Sequence, residues 1–448
     1  DAMQLNNKNK ILLGVIVFVL LCITFLVVRT DLVGAQVAAT YPKDSEVIGA
    51  FARVGIKFNQ PMNPQEVEQR IKFTPDVPGK FLWDGNTLWF IPKQAWQAGV
   101  SYSLKLSSGA TARNGLKVLR SQTIRFSVRQ PEILYLSKQP GRMALSATPG
   151  NIGSPRELSD SHQDVYDFAP SRDGEQVAYS VINANQGLDL WLVKRDGSQS
   201  RRLVDCGADR CSQPAWTPDG NHIVYYRQFI SQSNKKALTG VWSVNSSTGE
   251  TDYLFPGEFP AVSPDGAQLA LIDSASGVMR ILNIETGKGV EFEADTDILP
   301  TWFPDGSKVV YARSQSDGDI TYVALYQVDL NTREVTQILK DTPSDEILSM
   351  PEISPNAQNF LVGKSGFSGS PAEQLWIMDI NGGHAQKITD NALYSHTSYS
   401  WDPWGNQVLF QQLEVGVSSP IPQVMIWDRQ TGQTRLIATQ ATLPVWFP

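Results

Sequence analysis

The sequence is poor in the residues that most catalytic and metal chemistries use. Only 4 histidines and 3 cysteines occur in 448 residues. His162, His222, His384 and His396 stand far apart with no ligand spacing, so each reads as a loop or strand-end residue. A nucleophile elbow is missing: Gly366-Phe367-Ser368-Gly369-Ser370 lacks the glycine required two residues after the serine. There is no phosphate-cradling glycine loop and no dinucleotide fingerprint. Charged residues make up only 19% of the chain and the net charge is −7, which excludes the basic stripe of a nucleic-acid binder. Asp295-Thr296-Asp297 and Asp317-Gly318-Asp319 fall short of a calcium loop and read as solvated turns. These absences predict no catalytic residues, no metal set, no cofactor and a chain that is not an enzyme.

Long apolar runs are also scarce. The one present is Ile11–Val28, whose 18 residues meet the lower limit for a membrane-spanning helix. A cleaved signal peptide is the rival, with Val33-Gly34-Ala35 as a small-residue cleavage site. Cys22 reads as an apolar residue inside the run. Lys8 and Lys10 precede the run and favour a cytoplasmic N-terminus. The expected order is a cytoplasmic tail (1–10), a transmembrane helix (11–28) and a linker (29–36), with the bulk of the chain outside the cytoplasm, periplasmic or at the cell surface. In that setting Cys206 and Cys211, in one loop, read as a local disulfide. Free thiols and a metal pair are the alternatives, and zinc would need two further ligands.

What the chain has in quantity is turns and strand formers, so the body is all-β. Residues 37–130 carry about seven short strands, the spacing of a β-sandwich. Gly99-Val100-Ser101-Tyr102-Ser103-Leu104-Lys105-Leu106 alternates as a half-buried strand must. Phe58-Asn59-Gln60-Pro61-Met62-Asn63 and Leu88-Trp89-Phe90-Ile91-Pro92 resemble segments of bacterial Ig-like domains of envelope and surface-layer proteins. The resemblance implies a spacer or adhesion module.

From residue 131 onward one phrase repeats. Trp302-Phe303-Pro304-Asp305-Gly306 precedes Val309-Val310-Tyr311-Ala312, and Trp216-Thr217-Pro218-Asp219-Gly220 precedes Ile223-Val224-Tyr225-Tyr226. Proline presets φ, aspartate bonds the backbone ahead, and glycine takes positive φ, so each is a hairpin turn. Val262-Ser263-Pro264-Asp265-Gly266 is a third copy, and worn copies lie at Asp173-Gly174, Pro355-Asn356 and Pro403-Trp404-Gly405. The steps run roughly 40 to 51 residues, the period of propeller blades. A second phrase alternates with it, as in Leu190-Trp191-Leu192-Val193 and Leu375-Trp376-Ile377-Met378-Asp379. Together they resemble the TolB-like, WD40-like propeller repeat, which implies a propeller over 131–448 and protein–protein assembly in the cell envelope.

Six hairpins leave fragments at both ends. Glu132–Ser137, Arg142–Thr148 and Arg156–Leu158 look like a blade lacking its inner strand, and Leu443–Pro448 matches Leu299–Pro304 as a lone inner strand. A seventh blade built from both termini is expected, with a six-bladed ring as the alternative. Trp216, Trp302, Trp401 and Trp446 keep one place in the repeat, which favours packing between blades over a sugar platform.

The expected function is a membrane-tethered, extracytoplasmic scaffold or binding protein that uses propeller faces and loops for protein–protein assembly. Recognition or processing of a cell-wall glycan or peptide at the propeller mouth is the alternative. Candidate interaction loops are 228–237, with Lys235 and Lys236, and 364–373, with Phe367. Some peptidases carry a related propeller ahead of a hydrolase domain. The sequence stops where such a domain would begin, a further ground for expecting no enzyme.

Overall fold

The computed structural model describes residues 16–20, 34–150, 153–230, 238–294, 299–317, 320–340, 345–347, 349–366 and 370–448. Of the apolar run 11–28, only 16–20 are described; they are helical and exposed. The rest of the run lies outside the described residues. Among the described residues no helix is long and apolar enough to cross a membrane. The chain divides into two compact units. The first holds the described residues up to Ile48 with Arg53–Lys93 and Gly99–Val128; the second holds Gly49–Ala52, Gln94–Ala98 and Arg129–Pro448.

The first unit is built on two four-stranded sheets. One contains Val37–Tyr41, Val54–Phe58, Thr87–Pro92 and Gly79–Asp84; the other Glu46–Ile48, Gln122–Val128, Ser101–Leu106 and Ile71–Thr74. Alternation places Tyr102, Leu104 and Leu106 inward, and they bury with Phe58, Leu88, Phe90 and Phe126. Gly55 faces Trp89 in the register, and a Cβ there would strike the indole. A glycine within a strand is explained by that close approach.

The second unit contains seven antiparallel blades. Six run in order through 165–204, 210–255, 258–293, 301–340, 345–387 and 394–439. The seventh pairs Arg156–Glu157, Arg142–Pro149 and Glu132–Gln139 with Ala441–Phe447, which supplies the inner strand. The six-bladed alternative with trailing ends is therefore corrected. A single parallel bridge, Leu188 to Arg210, links the first and second blades into one eight-stranded sheet.

Strand period explains the ring. In Gln176–Ile182, Val177 and Tyr179 pack towards the seventh blade while Ala178 packs towards the second. Val309 and Tyr311 likewise face the third blade, and Val310 and Ala312 the fifth. Buried clusters occur between first and second, second and third, third and fourth, fourth and fifth, fifth and sixth, and sixth and seventh blades. A last cluster joins the seventh to the first through Leu134, Leu145, Val165, Tyr179 and Phe447.

Two polar devices tie the inner strands together. The repeat tryptophans donate their indole N–H to the inner strand of the preceding blade. Trp216 bonds the Ala169 carbonyl at 3.0 Å, Trp302 that of Ala261 at 2.9 Å, Trp401 that of Glu352 at 3.2 Å and Trp446 that of Ser400 at 3.3 Å. Each acceptor occupies the same place in its own repeat, one residue before the tryptophan position. The second device uses bulges. The Gln213 N–H bonds Asp167 Oδ2 at 2.7 Å, and the Gln213 side chain in turn accepts the Phe259 N–H at 2.9 Å. Gln213 and Phe259 sit at left-handed φ of 57° and 56°, at register shifts of their strands. The turned backbone aims each N–H at the blade before it.

Trp216→Phe should keep most of the packing yet strand the Ala169 carbonyl, costing about 1–3 kcal/mol in urea unfolding. Trp216→Ala should cost about 3–5 kcal/mol. Equal stability of wild type and the Phe variant would remove the indole bond as a contributor. Deleting residues 441–448 takes away a central strand, and loss of a single cooperative transition is expected; unchanged melting would contradict closure by that strand.

Candidate functional site at the ring closure

The seam between the seventh and first blades departs from the tryptophan pattern. The first blade carries Pro170 where an indole would stand, and charged groups make the connection instead. Glu132 opens the first strand of the closing blade. Arg156 holds both of its carboxylate oxygens, with Nη2 to Oε2 at 2.7 Å. Arg195, from the turn after the third strand of the first blade, reaches the same Oε2 at 2.9 Å. Arg195 also donates to the carbonyls of Pro448 at 2.7 Å and Gly174 at 2.9 Å, and stacks 4.1 Å from the centre of the Phe447 ring. Arg129 pairs with Glu175 and donates to the Asp173 and Pro448 carbonyls at 3.2 and 3.3 Å.

Charge and burial compete here. Burial pushes the Glu132 carboxyl up, but the Arg156 hydrogen bond and the nearby guanidinium charges outweigh it and hold the group below its ordinary value. Burial, then the charge of Arg129, bring Arg195 down to about 10, against the pull of Glu132. Three guanidinium groups sharing two carboxylates make a compact, partly desolvated cross-link.

Above this cross-link lies a cavity of about 1010 Å³. Trp404, Trp446, Pro131 and Pro149 contribute its apolar wall, and Lys194, Asp196 and Arg435 its charged rim. A space of this size takes a short polymer segment or a large small molecule.

A second polar cluster sits between the fifth and sixth blades. Ser349 donates to the Glu373 carboxylate, and its oxygen lies 2.9 Å from the Tyr399 hydroxyl. Tyr399 donates to the Met350 carbonyl at 2.7 Å and accepts the Gly363 N–H at 2.9 Å. Gly363 has no side chain because the Glu373 carboxylate fills the place a Cβ would take. Burial raises Glu373 to about 7, partly offset by Ser349, and burial likewise raises Glu352 to about 7. His396 turns Nδ1 to the backbone carbonyl of Glu373 at 3.0 Å, and burial lowers its pKa. Ser349 therefore meets a carboxylate directly, without an imidazole between them, and these groups do not form the relay of a nucleophilic triad.

His396 corrects its sequence reading: it is buried within the strand Tyr394–Trp401 and is neither a loop nor a strand-end residue. The Cys206 and Cys211 sulfurs stand at bonding distance, 2.00 Å, in the buried cluster between the first two blades. Lys235, Lys236 and Phe367 lie outside the described residues, as do Asp295, Asp297 and Asp319. Of the residues that line the cavity, sequence singled out Trp446, as a packing tryptophan of the repeat, and named Trp404 only as part of a worn turn that breaks the Pro-Asp-Gly pattern; the charged residues were not singled out.

Comparison with known proteins bears on both units. A model of the bacterial Ig-like domain family matches residues 31–128, so this part of the chain is Ig-like. The uncharacterized peptidase YuxL of Bacillus subtilis (strain 168) is 23% identical over 208 residues, 44% of this chain. The match spans only 29% of that relative's length. Among solved structures, a puromycin-hydrolyzing peptidase of Mycobacterium tuberculosis superposes with a TM-score of 0.50 at 15% identity, covering 89% of this chain and 57% of its own. TolB from Acinetobacter baumannii gives a TM-score of 0.43 at 16% identity, covering 93% and 99%. Identities this low speak to the fold alone. The expectation that the chain is not an enzyme is nevertheless overturned: the curated relative is described as a peptidase, and a peptidase shares the fold over most of this chain. Lack of a nucleophile motif in these 448 residues does not set the protein apart from enzymes.

Two measurements follow from the buried groups. Glu373 is protonated more readily when folded, at about 7 against 4.5. Its stabilising contribution is complete below pH 4.5 and is lost as pH rises to about 7. Glu373→Gln should lack that loss, so between pH 4.5 and 8 its stability should gain on wild type by roughly 2–3 kcal/mol. Parallel pH profiles would contradict this. Cys206 and Cys211 should resist alkylation in freshly isolated protein until reductant is added; immediate labelling of both would show free thiols.

Proposed function

We propose that the protein is an exported binding protein whose propeller seats a polypeptide partner in the cell envelope. The observation that carries this reading is the cavity at the ring closure, with indole and proline walls, a charged rim and a cross-linked floor. Guanidinium groups and indoles suit polypeptide recognition, because both combine wide apolar faces with directional donors. The floor is held by ion pairs that also close the ring, so the surface is formed before a partner arrives. Export and retention by the apolar segment 11–28 belong to the same proposal, supported by that segment's composition and by the Cys206–Cys211 pair.

The similarity to YuxL favours a second reading, in which the propeller receives a polypeptide that is a substrate. Both readings place a polypeptide at the same face. A photo-reactive benzoylphenylalanine at Gln130, an exposed residue of the cavity lining, introduced into the full chain in native membranes, should give a discrete light-dependent protein adduct. The same label at Asn331, in a turn of the fourth blade, is the control. Adducts from Asn331 alone would overturn this placement. Turnover of added peptides by the protein isolated from those membranes would select the second reading.

A further inference from the structure

Lys194 and Arg435 flank the cavity at the ring closure, and both are exposed. Neither forms an ion pair among the described residues, although Arg435 donates to the Gly150 carbonyl and the Lys194 charge acts on the nearby Asp196 carboxylate. The other cations of the cavity are committed: Arg156 and Arg195 hold Glu132, and Arg129 holds Glu175. Of the remaining carboxylates, Asp402 is buried and accepts the Asn406 and Gln407 N–H groups at 2.6 and 3.0 Å. That leaves Asp196 as the exposed acid on a rim that carries two cations.

Trp404 supplies an independent observation. In the other hairpin turns its place belongs to a turn-capping acid or amide. Asp173, Asp219 and Asp265 accept the N–H two residues ahead at 3.1 Å, Asp305 does so at 3.0 Å and Asn356 at 3.1 Å. In the sixth blade Asp402 has taken over the capping, and the freed position carries an indole on the cavity wall. The turn does not need that indole. Its Nε1 donates to the Trp96 carbonyl at 3.2 Å within the same compact unit, which fixes the ring plane.

We propose that this cavity binds an acidic polypeptide segment, with Lys194 and Arg435 taking its carboxylates and Trp404 packing against its apolar atoms. This rests on the polypeptide-binding reading above and names the chemistry of the partner. Cations at a protein rim steer and select acidic partners, and the effect weakens with salt. An indole adds contact area at low entropic cost.

The test uses the full chain in detergent and short fluorescent peptides rich in glutamate, glutamine or lysine, read by anisotropy. The glutamate peptide should bind, and K194E/R435E should weaken it by about tenfold or more, while K194R/R435K retains it. Trp404→Ala should weaken binding several-fold; should that variant misfold, a peptide-induced change in tryptophan emission of the unsubstituted chain serves instead. Equal binding of glutamate and glutamine peptides, or indifference to charge reversal, would overturn the proposal. So would displacement of the glutamate peptide by lysine peptides or neutral glycans at equal concentration. A protein adduct from a label at Gln130 without any glutamate-peptide binding would sink this inference and leave the polypeptide-binding reading standing; loss of both would remove the two together.

Discussion

The inner strands of the propeller depend on one recurring bond, the indole N–H given to a carbonyl of the preceding blade. Each such tryptophan excludes water from a seam with its rings and satisfies a carbonyl that strand pairing leaves over. The bond runs from the second blade to the first, the fourth to the third, the sixth to the fifth and the seventh to the sixth. Blades one, three and five carry Pro170, Val262 and Ile353 at the same place. The bulge chain through Asp167, Gln213 and Phe259 serves the first three blades where the indoles alternate.

The closing seam solves the same problem with ions. Glu132 is shared by Arg156 and Arg195, and Arg195 also spans to the carbonyls of Pro448 and Gly174. A carboxylate this enclosed is tolerable only with its cations in place. The same groups form the floor of the cavity, so the site and the closure are one piece of structure. A partner held there would meet a surface whose geometry is already set by folding.

Much of the propeller was legible because its signals are local. The Pro-Asp-Gly turns and the tryptophan positions lie within a few residues of one another, the distant end fragments were recognised because each matches part of that local repeat, and the strand period did the rest. The charged seam was not legible. Glu132 and Arg156 are 24 residues apart and Arg156 and Arg195 are 39 apart, and each alone reads as an ordinary surface charge. Gly363 likewise gave no hint that a carboxylate ten residues later would occupy the space of its missing side chain. Trp404 was visible as a worn turn, but only the capping role assumed by Asp402 gives it meaning. The enzyme question misled the sequence reading for a different reason: motif absence was taken as evidence about a whole protein.

Closure by Ala441–Phe447 also sets an order of events in time. During synthesis each of the six internal blades can pair within itself as it appears. The seventh cannot be completed that way. Glu132–Gln139 and Arg142–Pro149 can pair with each other at once, but the other edge of Glu132–Gln139 must wait for a strand made some three hundred residues later, a separation seen directly in the bond from Arg129 to Pro448 across 319 positions. Until then the Ile133 and Leu134 edge stands open beside the growing chain, and a polypeptide from elsewhere could add to it. That edge stays exposed until Ala441–Phe447 has been made and docked, and this is the interval in which a chaperone would have most to protect.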